Sequence, residues 1–395
     1  MSMQSPSLST LALTFLRLGS LGFGGPQAHQ ALLRSEIVER LEWVEAQTFE
    51  EGLVLCEALP GPSSSQLAIL LGWQCRGLIG GLVSGLCFLL PGLLTVLVLS
   101  ELWRRGRGVD WTSDLSVVIQ PVIAAMIWNF SWRLSEGLQQ AWQRLSSVLV
   151  LAAILITQQL GHQVPIALLL VTCGLARLPR SSQLAWMPWW LLPLGAAAPP
   201  LGAQFQLLGD LAWLFFKAGL LVFGGGLVII PLMEYAVIEN GWLSSGAFLD
   251  GVAIGQLSPG PVVLTSAFVG YQAGWNLGST AFAITAALVA TAAVFAPSFL
   301  LILMGAPVLD RWRRHENVQR VLEGVRAAIP GAVTAAALSL TIGSLEPIST
   351  SDGIAQWTLL LGCVAALRLW NIKPEWLLLS GLLIGVGRSA VRMAF

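Results

Sequence analysis

Charge is scarce in this chain. Only 11% of its 395 residues are Asp, Glu, Lys or Arg, against about 25% in an ordinary soluble domain, too few to cover a water-facing surface of normal size. The formal net charge is zero, and no basic run is long enough to follow a phosphate backbone, which excludes nucleic acid as a partner. Histidine is confined to His29, His162 and His315, scattered along the sequence. With no HExxH, GxSxG or phosphate-binding loop, the chain offers nothing for a membrane-embedded enzyme, and no metal or other cofactor is expected. The five cysteines (Cys56, Cys75, Cys87, Cys173 and Cys363) show no CxxC or metal-type spacing and read as small apolar packing residues. The N-terminus lacks a basic region, and Arg17 interrupts its apolar stretch, which argues against a removable signal peptide.

What the chain has in quantity is apolar surface: 55% of residues are hydrophobic and the mean hydropathy is +0.74. Apolar stretches recur near residues 8–26, 52–71, 78–100, 115–133, 147–160 and 164–178, and again near 207–232, 249–270, 277–304, 325–345, 356–370 and 375–393. A helix needs about 20 apolar residues to cross a bilayer. The expected fold is therefore an all-α integral membrane protein with two homologous halves of about five to six membrane segments each, its helices broken at GGP and PGP motifs.

The two series are copies. Phe15, Arg17, Gly19, Phe23, Gly24 and Gly25 match Phe215, Lys217, Gly219, Phe223, Gly224 and Gly225 at an offset of 200, and the triplets Pro60-Gly61-Pro62 and Pro259-Gly260-Pro261 match at 199. Later, Pro121 and Pro165 match Pro330 and Pro374 at 209. The sequence divides into a repeat at 1–183, a Trp- and Pro-rich linker at 184–206 suited to the headgroup region, and a repeat at 207–395. Duplicated halves of this kind are the signature of secondary transporters, whose substrate site lies where the repeats meet. Arg104, Arg105 and Arg107 follow the third segment, and Arg311, Arg313, Arg314 and Arg320 follow its counterpart. The positive-inside rule would place both loops in the cytoplasm, as in parallel repeats, but Arg133, Arg144, Arg177 and Arg180 oppose a clean assignment and an undetected half-span would change the parity, so the orientation stays open.

Candidate site residues follow from the breaks. Gly24, Gly25 and Pro26, with Gly224, Gly225 and Gly226 in the second copy, let the backbone approach a ligand closely. Pro60-Gly61-Pro62 and Pro259-Gly260-Pro261 remove helix donors and should split a membrane helix in each half. A second half-helix beginning inside the membrane presents free N–H groups and a positive dipole end to an anion. Arg17 and Lys217 supply a basic residue in each copy for an anion path, or else snorkel to an interface. Gln66 and Gln256 are amide donors for an oxyanion or interhelical ties. Glu57, which corresponds to Gln256, is a lone carboxylate suited to a coupling proton, or to pairing with Arg17. The charged stretch Arg34–Glu51 reads as a solvated or interfacial amphipathic helix with Trp43 at the lipid edge.

Together, LGFGGPQAH (Leu21–His29), LPGPSSSQLAILLGWQCRG (Leu59–Gly77), FLLPG (Phe88–Gly92), FGGGLVIIP (Phe223–Pro231) and GQLSPGPVVLTSAFVGY (Gly255–Tyr271) resemble the chromate ion transporter family over nearly the whole chain. The resemblance implies a plasma-membrane carrier that expels chromate by proton-coupled antiport and confers resistance. It also implies single-half relatives that insert in opposite orientations. The alternative is a carrier that takes up or exchanges sulfate, a tetrahedral dianion of similar size. The partners expected are a small oxyanion and the lipid bilayer, with homo-oligomer formation left open.

Overall fold

A computed structural model describes residues 6–106, 110–159, 166–178, 202–222, 226–304 and 316–394, and all the described secondary structure is helical. The first repeat comprises α1 (Leu8–Leu21), α2 (Gly25–Leu33), α3 (Ala46–Ala58), α4 (Ser63–Gly106), α5 (Asp110–Glu136), α6 (Ala141–Gln159) and α7 (Ile166–Leu175). The second comprises α8 (Ala203–Leu221), α9 (Ile229–Glu239), α10 (Ser245–Leu257), α11 (Thr265–Leu277), α12 (Thr280–Leu303), α13 (Glu316–Ser344), α14 (Ser351–Leu369) and α15 (Pro374–Ala394). Six of these helices are long and apolar enough to cross a membrane. Most of the linker, with His162, His315 and Arg311, Arg313 and Arg314, falls outside the described residues.

The sequence duplication reappears as duplicated packing. In α1, Ser7 caps the first turn by accepting from the Thr10 amide, and Leu11, Phe15, Leu18 and Gly19 turn inward at helical spacing. Their copies Leu211, Phe215, Ala218 and Gly219 do the same in α8. A Cβ on Gly19 would stand 2.3 Å from the Phe88 carbonyl oxygen of α4, and one on Gly219 would stand 2.2 Å from that of Val294 in α12. Only glycine permits either approach.

The 44 residues of α4 are two arms folded at Arg76 and Gly77, whose backbone is non-helical. The arms run back to back: the Ser84 hydroxyl donates to the Ala68 carbonyl at 2.8 Å, and Gly72 faces Gly80. In the second repeat the same hairpin is two separate helices, α11 and α12, with Gly270 and Gly274 against Ala286 and Ala283. The second arm of α4, at about 1.5 Å per residue, is long enough to span a bilayer. Preceding each hairpin, α3 folds against the first arm of α4, Gly52 on Leu70, and α10 folds against α11, Gly251 on Phe268. Each PGP triplet is thus the tip of a re-entrant helical hairpin that enters and leaves on one side.

Equivalent helices of the two repeats run in opposite directions. Gly81 of α4 packs on Leu303 of α12, and Gly85, further along α4, packs on Phe299, earlier in α12. Likewise Ser131 of α5 meets Thr334 of α13 at 2.6 Å, while Trp128 donates to Thr341 at 3.1 Å. The repeats are therefore inverted, an orientation that the arginine loops, though they lean toward a parallel arrangement, leave open. A re-entrant hairpin adds two helices without adding a crossing, so hydropathy alone loses the parity. Arg104 and Arg105, both paired with Glu101, lie where α4 meets the outer end of α11. The equivalent end of α12 lies at the opposite face, beside Gly81.

The repeats also exchange their peripheral helices. α5 packs against α14 and α15 of the other repeat, and α13 against α6 and α7. The result is one group built around α1, α4, α8, α11 and α12 and another around α5 and α13, with the re-entrant hairpins reaching between them.

Candidate functional site

At the hairpin tips the chain is extended and held open by glycine. Gly61 and Gly260 have φ of 123° and 100°, and Gly24 and Gly25 have φ of 96° and 79°, all in the region that disfavours L side chains. The tips are fastened across the repeats: the Gly61 amide donates to the Val222 carbonyl at 2.8 Å, and the Gly260 amide donates to the Gly22 carbonyl at 2.7 Å. The backbone groups freed by the prolines thus find partners inside the protein, as a membrane interior requires.

A cavity of about 790 Å³ lies against these breaks. Gly24, Gly25, Pro26 and Gln27 line it from the start of α2, and Gly61 and Ser63 from the start of α4. Gly226 and Leu227 line it from the single turn preceding α9, and Val262 from the single turn preceding α11. Four helical beginnings therefore face one space. A first helical turn leaves amide hydrogens without intrahelical partners, and aligned peptide dipoles place partial positive charge there. The arrangement suits an anion.

Of the residues singled out in the sequence, Gly24, Gly25, Pro26, Glu57, Gly61, Gly226 and Gln256 line this cavity. Pro60, Pro62, Pro259, Gly260 and Pro261 form the loops behind it, and Gly224 and Gly225 lie outside the described residues. Gln66 is fully buried and closes the first tip from within, its amide nitrogen donating to the Pro60 carbonyl at 2.5 Å and reaching Ser298 at 3.4 Å. Arg17 and Lys217 stand apart from the cavity. The Arg17 side chain is 62% exposed and 3.6 Å from Glu36, and the Lys217 ammonium lies 5.1 Å from the centre of the Trp213 ring. Glu36, in a π-helical turn (Arg34–Arg40) that follows α2, is also held by Arg40, whose hydrogen bond keeps its carboxyl below the usual carboxylate range.

Among the described residues, the cations lining the cavity are Arg133, near the end of α5, and Arg326, in the first part of α13. In the sequence Arg133 bears only on orientation, and Arg326 carries no motif. The signal that would have found Arg326 is its place four residues before Pro330, at the edge of an apolar stretch. Arg326 reaches the Glu57 backbone carbonyl at 3.4 Å, so it sits beside the first hairpin. The carboxylates of Glu57, Glu323 and Glu375 also face the cavity, and Gln30 donates to Glu57 at 3.4 Å. A second cavity of about 780 Å³ shares Gly24, Gln27, Arg133, Pro374 and Glu375 with the first and adds Lys373.

A family model described as chromate transporter matches residues 9–178 and 209–386, one match for each repeat. A probable chromate transport protein of Synechococcus elongatus is 31% identical over 382 residues, covering 93% of this chain and 91% of that protein. Chromate transport proteins of Cupriavidus metallidurans and Pseudomonas aeruginosa are 32% and 30% identical, covering 87% of this chain and 85% and 83% of their own lengths. No solved structure matches the chain. Apolar spans, inverted repeats and two family matches in tandem lead to one conclusion: the chain belongs to the chromate transporter family, as a multi-pass integral membrane transporter and not an enzyme.

Proposed function

We propose that this protein carries chromate across the plasma membrane, expelling it in exchange for protons and so conferring resistance. The observation that carries the reading is the convergence of four helical beginnings on one cavity between inverted repeats, the place where such carriers bind substrate. In this reading the dianion rests against the amides at the starts of α2 and α4 and of the turns at Gly226 and Val262. Arg133 and Arg326 offset its charge from the wall. Charge-assisted hydrogen bonds of this kind are about twice as strong as neutral ones. Glu57, at the same wall, is the group that takes up the coupling proton, since a protonated carboxyl there removes a charge that repels the anion. The residues 184–206 join the repeats as a linker.

Purified protein in liposomes tests this directly. Chromate uptake should follow an imposed pH gradient and saturate, and sulfate, a dianion of similar shape, should compete. Absence of chromate flux would end the substrate assignment, and sulfate flux alone would replace it with the sulfate carrier.

A further inference from the structure

The cavity opens at one end of the molecule. Its walls take Met126, Phe130, Arg133 and Leu134 from the later part of α5 and Glu323 to Ile329 from the early part of α13. In inverted repeats these lie at the same end. At the opposite end α10 packs along the early part of α5, and the contact is centred on Asp250. This carboxylate is 9% exposed and accepts hydrogen bonds from the Ser116 hydroxyl at 3.0 Å, the Gln120 amide at 3.3 Å and the Trp103 indole at 3.1 Å. One turn earlier, Gly246 lets the α10 backbone approach so closely that a Cβ there would stand 2.9 Å from the Gln120 amide nitrogen. Asp250 thus joins α10 and α4 to α5, across the two helix groups.

The duplication supplies an internal comparison. At the open end, the positions equivalent to Asp250, Ser116 and Gln120 are Glu51, Val325 and Ile329. Glu51 is exposed and accepts from Gln47 of its own helix at 3.0 Å, while Val325 and Ile329 have no donor to offer it. There α3 stands off α13, joined by the bond from Arg326 to the Glu57 carbonyl at 3.4 Å, and the cavity fills the gap. The same two elements are locked at one end and parted at the other. Two of the three donors to the lock, Ser116 and Gln120, differ at the open end, while the third, Trp103, corresponds to Trp312, outside the described residues.

We propose that Asp250, with Ser116 and Gln120, forms the gate that holds the second end shut, and that it must release before the cavity can open there. The proposal rests on the reading of the protein as a carrier. Because Val325 and Ile329 offer no counterpart to the Ser116 and Gln120 donors, the conformation closed at Asp250 is favoured over its reverse. A buried carboxylate that loses its donors is strongly disfavoured, so the gate opens as a unit.

The test uses full-length protein with its native cysteines replaced and one reporter thiol added. Ala253→Cys places the reporter on α10 just beyond Asp250, at a position 2% exposed, and Met126→Cys places one in the cavity, at 5% exposed. Labelling by a charged maleimide in detergent micelles is followed with and without Asp250→Ala. The gate predicts at least a tenfold rise in labelling of the α10 reporter and a fall in labelling of the cavity reporter, since one end opens as the other closes. A rate at the α10 reporter within twofold of the parent, or a rise at both reporters, overturns it, the latter being simple loosening. Should Asp250→Ala fail to fold, the double variant Ser116→Ala/Gln120→Leu removes both donors that α5 contributes and so parts α10 from α5, and it is read in the same way. Labelling needs no chromate, so failure of the gate and failure of the chromate assignment are separate results.

Discussion

The Gly61 amide of the first repeat donates to the Val222 carbonyl of the second at 2.8 Å, and the pair has a mirror in the bond from Gly260 to Gly22 at 2.7 Å. Each hairpin tip is completed by the other repeat, so the break that exposes helix beginnings to the cavity is stable only when both copies are present. The cavity is a property of the pair of repeats.

Alanine at the two tips should therefore be costly to different degrees. At Gly260 the penalty is mainly the positive φ, about 1–2 kcal/mol, since the nearest atom to an added Cβ is in Leu264 at 3.4 Å. At Gly61 the same strain is joined by overlap with Gln66 and Ser298, both at 2.4 Å. Thermal unfolding in detergent should rank Gly61→Ala below Gly260→Ala, and both below the parent. Equal melting temperatures for all three would contradict the tip geometry.

The helix contacts predict a matched pair. Gly19→Ala and Gly219→Ala each force a methyl group against a carbonyl oxygen 2.3 and 2.2 Å away, and overpacking of this kind costs about 1–3 kcal/mol. Melting curves of the two variants should shift by similar amounts. A large shift in one alone would break the correspondence of α1 with α8.

Much of this was legible in the sequence. The offset of 200 that pairs Phe15 with Phe215 and Gly19 with Gly219 pairs them again as buried contacts, and the prolines at 60 and 259 mark both interruptions. Direction was not legible, because arginine counts do not register hairpins that return to the side they entered. Gln66 and Arg326 were hard for a related reason. Whether an amide caps a turn or faces a ligand, and whether a cation at the edge of an apolar stretch reaches a cavity, depends on neighbours far away in sequence.

The cations of the wall should matter more than the paired basic residues that the duplication advertises. Losing a charge-assisted contact costs about 1.5–3 kcal/mol, so Arg326→Gln and Arg133→Gln should raise the half-saturation concentration for chromate tenfold or more. Arg17→Gln and Lys217→Gln, remote from the cavity, should change it less than threefold. Flux measured in liposomes decides, and the reverse order would move the anion path toward α1 and α8.

Glu57→Gln keeps the shape of the wall and removes the titrating carboxyl. Its flux should persist at a fixed pH but respond at least threefold less to an imposed pH gradient. An unchanged response would take Glu57 out of the coupling step.

Chromium scatters X-rays anomalously, so the site can be located without a variant. In crystals grown with chromate, an anomalous difference map should show its strongest peak in the cavity, within about 4 Å of amide nitrogens at the beginnings of α2 and α4. A strongest peak outside that cavity, with the cavity empty at saturating chromate, would contradict the claim that helix beginnings at the repeat junction bind the transported anion.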